Sequence, residues 1–438
     1  MLLHPAIAES GFAALAVARS GPGAVGELPV PSALVPDLLQ RFAAVSDGRC
    51  DQGRIHPVAA VLTLCAAAVV AGMSSFTAIA GWVADVPGAL LAQLYRRPAE
   101  PPSKATIWRV VTGADADAVD AAISAWLVER ASSRATPTGE DLAGEDGTGE
   151  GPAHDQDQDQ EQDGHDTAAG SSTLLAVAVD GKTVRGAIGA EGNQTHLLAA
   201  ATHHDALVLG QVEVGAKTNE IPMFAPLLDQ LAATGIDLAH TVITADALHA
   251  QRTHAEYLHE RGAGFVFTVK HNQPGLFAAL DALPWTDTPI THRQVDRGHG
   301  RITTRTIQVR PAPPDLPFPH VNQVWLIERY VTGTTGTPTS AIAALGVTNL
   351  RAHQTGPADL AGFVKDHWGI ESLHWLRDTV YREDHSRART RSGPRVMAGL
   401  RNLAIGALHL HGRRDITEAT RWAARGMRRP FQILDLTP

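Results

Sequence analysis

Cysteine is nearly absent from this 438-residue chain: Cys50 and Cys65 are the only two, which excludes a disulfide scaffold and any cysteine-based zinc finger. Long apolar runs are missing as well. The longest, Val58 to Ala71, is alanine-rich and includes Thr63 and Cys65. It falls short of the roughly 18–20 residues that span a bilayer, so it predicts a buried helix and no membrane function. The apolar stretch Met1 to Ser20 has no cationic leader before its apolar run, which argues against a signal peptide and for a cytoplasmic chain. Nucleotide chemistry fails on one residue. Asp180-Gly-Lys-Thr183 has the tail of a phosphate-binding loop, but the glycine required five positions before Gly181 is Ala176. Neither a Gly-x-Ser-x-Gly elbow nor a His-Glu-x-x-His pair is present.

What is present is charge, unevenly placed. The chain carries 37 Lys and Arg against 46 Asp and Glu, a net of −9. Residues 131–170 hold eleven acids against the single Arg134, and residues 377–429 hold thirteen arginines against five acids. The acidic stretch has almost no large apolar residues and cannot bury enough surface to offset its ordering entropy, so 131–172 is expected to be a disordered linker. The basic stretch suits a polyanionic partner.

The length implies two or three domains. A poorly ordered segment is expected over 1–30. Residues 31–130 read as a helical N-terminal domain: Pro57 opens the apolar run, Ser74 and Ser75 precede Phe76, Ile79, Trp82 and Val83 at helical spacing, and Ser103 caps a further helix. From residue 173 to about 415 the pattern is α/β, a mixed sheet with helices on its faces. A β-rich insertion is expected at about 285–350, then one long helix over Ala358–Val380, and a basic C-terminal tail over 416–438.

Chemistry in this chain rests on its acids. Asp180 ends the apolar strand Leu174–Val179, and Asp246 ends the strand His240–Thr244 with its following Ala245. Strand ends on one edge of an open α/β sheet converge, so two carboxylates there can share a hard divalent cation. A third carboxylate is expected from the stretch holding Glu371, Asp378, Glu383 and Asp384, among which spacing alone does not choose.

The strings around these acids resemble those of bacterial insertion-sequence DDE transposases of the H-repeat-associated, ISAs-like type. Val179-Asp-Gly-Lys-Thr-Val-Arg-Gly-Ala187 is similar to the first-aspartate motif, and Thr244-Ala-Asp-Ala-Leu-His249 with Lys270-His-Asn-Gln273 to the second-aspartate segment. His367-Trp-Gly-Ile-Glu371 with Leu373-His-Trp375 resembles the glutamate motif, although Ser372 and Lys365 stand where the family usually has Asn and Arg. Lys217-Thr-Asn-Glu-Ile221 and His299-Gly-Arg-Ile302 match two further stretches. The resemblance covers roughly residues 30–415.

It implies an RNase H-like core in which Asp180, Asp246 and Glu371 hold two Mg²⁺ ions, with Mn²⁺ able to substitute. The implied activity is cleavage at the element's ends, leaving a 3′-OH that then attacks target DNA. DNA is the implied partner, as terminal inverted repeats and as target, with a homo-oligomer assembled on it in the cytoplasm at the nucleoid. Lys182, Arg185 and Lys270 become candidate phosphate contacts, and Asn272 and Gln273 candidate contacts to a base edge or backbone near the cleaved step. His367, Trp368, His374 and Trp375 flank the glutamate. The two tryptophans are candidates to stack on an unpaired end base, against the commoner packing role of a helical tryptophan. Arg387, Arg389, Arg391 and Arg395 form a basic string suited to phosphates. Two other readings stand beside this one: a host-recruited RNase H-like nuclease, and a DNA-binding protein that has lost catalysis.

Overall fold

Residues 38–49, 55–95, 99–135, 174–189, 191–298, 300–333 and 338–436 are described by the computed structural model of the chain. The expected N-terminal segment and nearly all of the acidic linker lie outside the described residues, as does His299. The chain begins with helices α1 (Leu38–Ala43), α2 (Val58–Val70), α3 (Phe76–Ala84), α4 (Gly88–Tyr95), α5 (Lys104–Gly113) and α6 (Ala116–Ala135). Serine hydroxyls start two of them as expected. Ser75 accepts from the Ala78 amide at 3.2 Å, and Ser103 from the Thr106 amide at 3.3 Å. Every residue of α2 is buried, and among the described residues no single helix is long and apolar enough to cross a membrane.

The α/β part follows: β1 (Leu175–Ile188), β2 (Gln194–Thr202), β3 (Val208–Val214), α7 (Phe224–Ala233), β4 (Thr241–Ala245), α8 (Arg252–Glu260), β5 (Gly264–Val269) and α9 (Pro274–Asp281). Strands β6 (His292–Gly298), β7 (Arg301–Pro311), β8 (Gln323–Gly333) and β9 (Pro338–Thr348) form a meander. Helices α10 (Pro357–Asp366), α11 (Gly369–Thr379), α12 (Gly393–Leu410), α13 (Ile416–Ala424) and α14 (Arg429–Ile433) complete the chain.

The nine strands of the described residues belong to one sheet, ordered β3-β2-β1-β4-β5-β9-β8-β7-β6. β1, β4 and β5 are parallel, and the other neighbours pair antiparallel. The expected β-rich insertion is therefore not a separate module. β9 pairs along β5 from Val266↔Thr348 to Val269↔Leu345, covering an edge that would otherwise present unpaired amides.

Three further expectations are corrected. The C-terminal tail is two packed helices, because Ile416, Ala419, Thr420 and Ala423 recur at helical spacing and are buried beneath the arginines. The long helix expected over Ala358–Val380 is broken between Asp366 and Gly369, where the His367 ring turns in to meet Thr244 at 2.9 Å. β1 does not stop at Asp180. Its parallel partner β4 ends at the pair Val179↔Ala245, whereas its antiparallel pairing with β2 continues past Asp180 to Val184↔Thr195.

One apolar core joins the N-terminal helices to the far end of the chain. α2, α5 and α6 pack around α12, whose residues are nearly all buried, and α13 and α14 close the same cluster. A second core lies between the sheet and helices α7 and α8.

Candidate active site

Parallel register brings the two aspartates together. Val179 pairs with Ala245, so Asp180 and Asp246, each one residue further on, lie at the same level of adjacent strands and on the same side of the sheet. Ala245 pairs in turn with Phe267 of β5, which puts Lys270 on that side just beyond the strand. The sheet thus offers two carboxylates and an ammonium along one edge, with Asp246 and Lys270 exposed and Asp180 half-buried.

Helix α11 brings a further acid to this edge. Glu371, His374 and Asp378 recur at i, i+3 and i+7 and share a face laid against β1. His374 Nδ1 is 3.5 Å from Asp180 Oδ2, and Lys182 Nζ donates to Asp378 Oδ2 at 2.6 Å. Glu371 is exposed at the open end of this face. Partial burial pushes its pKa up, the negative charges of Asp180 and Asp246 add to that, and Lys270 opposes it. Three carboxylates thus feel one another across the site with one ammonium to offset them. Among the described residues, no three His, Cys, Asp or Glu side chains are drawn into metal-ligating geometry. The all-oxygen donor set and its excess of negative charge nonetheless fit a hard divalent cation.

The remaining expected residues separate into two groups. Several are engaged with the protein itself. Lys182 is nearly buried, with Asp384 at 3.8 Å besides its bond to Asp378, so its charge is met from within. Asn272 Nδ2 donates to the Ala247 carbonyl at 2.6 Å, and Gln273 Nε2 to Gln251 Oε1 at 3.2 Å, bracing the turn that carries Asp246. His374 is enclosed, and burial lowers its pKa despite its bond to Asp180. Arg395 departs from the basic string: it is buried, with Nε on Asp120 at 2.8 Å and Nη2 on Asp117 at 2.6 Å.

Others face outward. Trp368 and Trp375 are 58% and 61% exposed on either side of Glu371, opposite to the packing role most helical tryptophans have. Arg185, Arg387, Arg389 and Arg391 are exposed. Arg389 is fixed by a bond from Nε to the Gly186 carbonyl at 3.1 Å. Gly186 is needed there, because a Cβ would overlap the carbonyls of Asp384 and Ser386 in the loop that crosses β1.

Two parts of the site gave no clear sign in the sequence. The Thr244 hydroxyl meets His203 Nε2 at 2.8 Å and His367 Nδ1 at 2.9 Å, tying β2, β4 and the break before α11 into one relay. Glu383, a candidate third carboxylate by spacing, is fully buried between Arg377 and Arg401, accepting from Arg377 Nε and Arg401 Nη1 at 2.8 Å each. Only an acid beside two arginines in a polar stretch hinted at the second, and nothing hinted at the first.

Residues 171–406, more than half of the chain, match the family model described as Transposase DDE domain, and residues 39–127 match a second described as DDE_Tnp_1-associated. The chain belongs to the DDE transposase family. It is 28% identical over 243 residues to "Putative transposase YncI" of Escherichia coli O157:H7, covering 53% of this chain and 61% of that protein. It is 26% identical over 245 residues to "H repeat-associated putative transposase YhhI" of Escherichia coli K12, covering 53% and 63%. The chain thus spans about three fifths of the length of these relatives. Among solved structures, the piggyBac transposase synaptic complex with hairpin DNA is similar over 60% of this chain and 53% of that chain, with 11% identity and a TM-score of 0.33.

Proposed function

We propose that this chain is a transposase that cleaves the terminal repeats of its own insertion element and joins the freed 3′-OH to target DNA. The supporting observation is the shared register of Asp180 and Asp246, with Glu371 coupled to both from α11. The order β3-β2-β1-β4-β5, in which β2 alone runs against the other four, supports reading this half of the sheet as RNase H-like. Asp180, Asp246 and Glu371 would hold divalent metal, Mg²⁺ or Mn²⁺, which supplies charge neutralisation at a phosphodiester and a nucleophile at neutral pH. The chain's own residues bind and orient. Lys270 faces the acids from the exposed edge and is placed for the scissile phosphate. Lys182 fixes α11 on β1 through Asp378, which keeps Glu371 above the aspartates. Positioning and electrostatics account for the catalysis, with no covalent protein intermediate.

The test is incubation of the full chain with labelled duplex bearing the element's end. Cleavage leaving a 3′-OH is expected with Mg²⁺ or Mn²⁺, lost on chelation and lost in Asp246→Asn. Cleavage that survives Asp246→Asn would defeat the proposal. Activity without strand transfer would favour a host-recruited nuclease, and binding without cleavage a catalytically silent DNA-binding protein.

Two outward-facing groups carry expectations of their own. Arg389→Ala with Arg391→Ala should weaken binding to all duplexes alike and reduce the slope of log affinity against log salt by roughly two, about one for each phosphate no longer neutralised. An unchanged slope in a fluorescence anisotropy titration would make these arginines merely solvated. Trp375→Ala should weaken binding to ends with unpaired bases by about 1–3 kcal/mol, the size of one base–aromatic stack, and leave fully paired duplex unaffected. Equal losses on both substrates would exclude stacking.

A further inference from the structure

The stretch Lys217-Thr-Asn-Glu-Ile221 takes no part in the triad, yet the fold gives its glutamate a distinct place. Glu220 Oε1 lies 2.8 Å from His196 Nε2, and Oε2 lies 3.1 Å from His249 Nε2. His196 continues the chain of contacts, its Nδ1 being 2.8 Å from Thr183 Oγ1. His249 is enclosed against Phe224 and His254, with ring centroids 5.3 and 5.4 Å away. Its Nδ1 meets no partner among the described residues, so Nε2 carries the ring's contact to Glu220. Burial alone would raise the pKa of Glu220, but the two imidazoles hold it down at about 2, so the carboxylate stays charged.

Both ends of this network reach the aspartates. Strand alternation sends Asp180 and Lys182 toward α11, and Gly181 and Thr183 to the opposite face, where Glu220 sits. Glu220 lies so close to β1 that a Cβ at Gly181 would overlap its carboxylate. His249 closes the short turn Ala247–His249 whose first amides Asp246 caps, accepting from the Leu248 amide at 2.8 Å. One carboxylate thus rests on the backbone next to Asp180 and hydrogen-bonds the turn that carries Asp246.

We propose that Glu220 is a positioning residue of the active site, setting the separation of Asp180 and Asp246 from the far face of the sheet. The proposal rests on the metal-holding role given above to the two aspartates. A cation shared by two carboxylates tolerates little change in their separation, and partners behind metal ligands are commonly worth about 10–100-fold in metal affinity.

Mn²⁺ alone is the probe, with the free ion followed by electron paramagnetic resonance as it is added to the full chain without DNA. Glu220→Gln keeps the shape but removes the charge and one acceptor. Its Mn²⁺ dissociation constant should rise about tenfold or more, kcat for cleavage should fall, and KM for DNA should stay within about twofold. Mn²⁺ affinity within twofold of wild type, whatever happens to melting temperature or cleavage, would overturn the proposal and leave Glu220 a structural residue. Should Glu220→Gln fail to fold, His196→Gln at the half-buried end of the network gives the same reading. An affinity weakened at least threefold supports the proposal, and an unchanged one overturns it. Asp246→Asn separates the two levels: if it binds Mn²⁺ like wild type, the metal-holding role itself fails, independently of Glu220.

Discussion

Glu371→Gln is expected to abolish Mg²⁺-dependent end cleavage while leaving end binding within a few-fold of wild type and the melting temperature unchanged. The side chain is exposed at the open end of α11 and, among the described residues, makes no hydrogen bond that the amide would break. Its partners are electrical, since Asp180 and Asp246 repel it and Lys270 draws it. The substitution removes a charge that a cation needs and that the folded chain does not. Because the three acids repel one another, losing one should leave the apoprotein no less stable. Asp378→Asn should behave differently: it weakens the bond to Lys182 at 2.6 Å, loosens α11, and lowers cleavage without removing it. Gel assays of cleavage and anisotropy of end binding decide the matter. A Glu371→Gln protein that cleaves near the wild-type rate, beside a dead Asp378→Asn protein, would move the third carboxylate to Asp378.

Twelve residues later, Glu383→Gln should do the opposite. Glu383, Arg377 and Arg401 are all fully buried, and the carboxylate is the shared partner of both guanidiniums. Removing the negative member leaves two cations enclosed without a counter-charge, which typically costs about 3–5 kcal/mol and lowers the melting temperature on the order of 5–10 °C. Burial by itself would raise the pKa of Glu383, but the two guanidiniums hold it below the ordinary carboxylate range. A depressed acid contributes stability that is fully present above its unfolded pKa and disappears as pH falls through the folded value. Acid scans should therefore show wild type losing this increment below about pH 4, while Glu383→Gln lacks it throughout. A melting temperature within about 2 °C of wild type would mean the triad is relaxed by water.

These opposite fates illustrate what the sequence could convey. The strands that carry Asp180 and Asp246 and the polarity of α11 were legible because each follows from local spacing and apolar pattern. The choice among Glu371, Asp378, Glu383 and Asp384 was not. Their surroundings are set by partners far along the chain, such as Lys182 for Asp378 and Arg401 for Glu383, and spacing carries no record of such pairings. The same holds for the sheet. The β-rich character of residues 285–350 was recognisable, but the attachment of this stretch to β5 depends on an edge formed by residues near 266. Composition misled at the C-terminus, where arginines masked the buried spacing of Ile416, Ala419 and Ala423.

The helix Gly393–Leu410 has a consequence for the life of the gene. It is wrapped by the helices between residues 58 and 135 and follows the polypeptide that supplies Glu371. A shortened copy that began near residue 174 would still encode all three acids. Its product, however, would leave that helix bare along a wide apolar face, prone to aggregation and proteolysis. Chains shortened by their first third should therefore fail to accumulate as folded protein, however intact Asp180, Asp246 and Glu371.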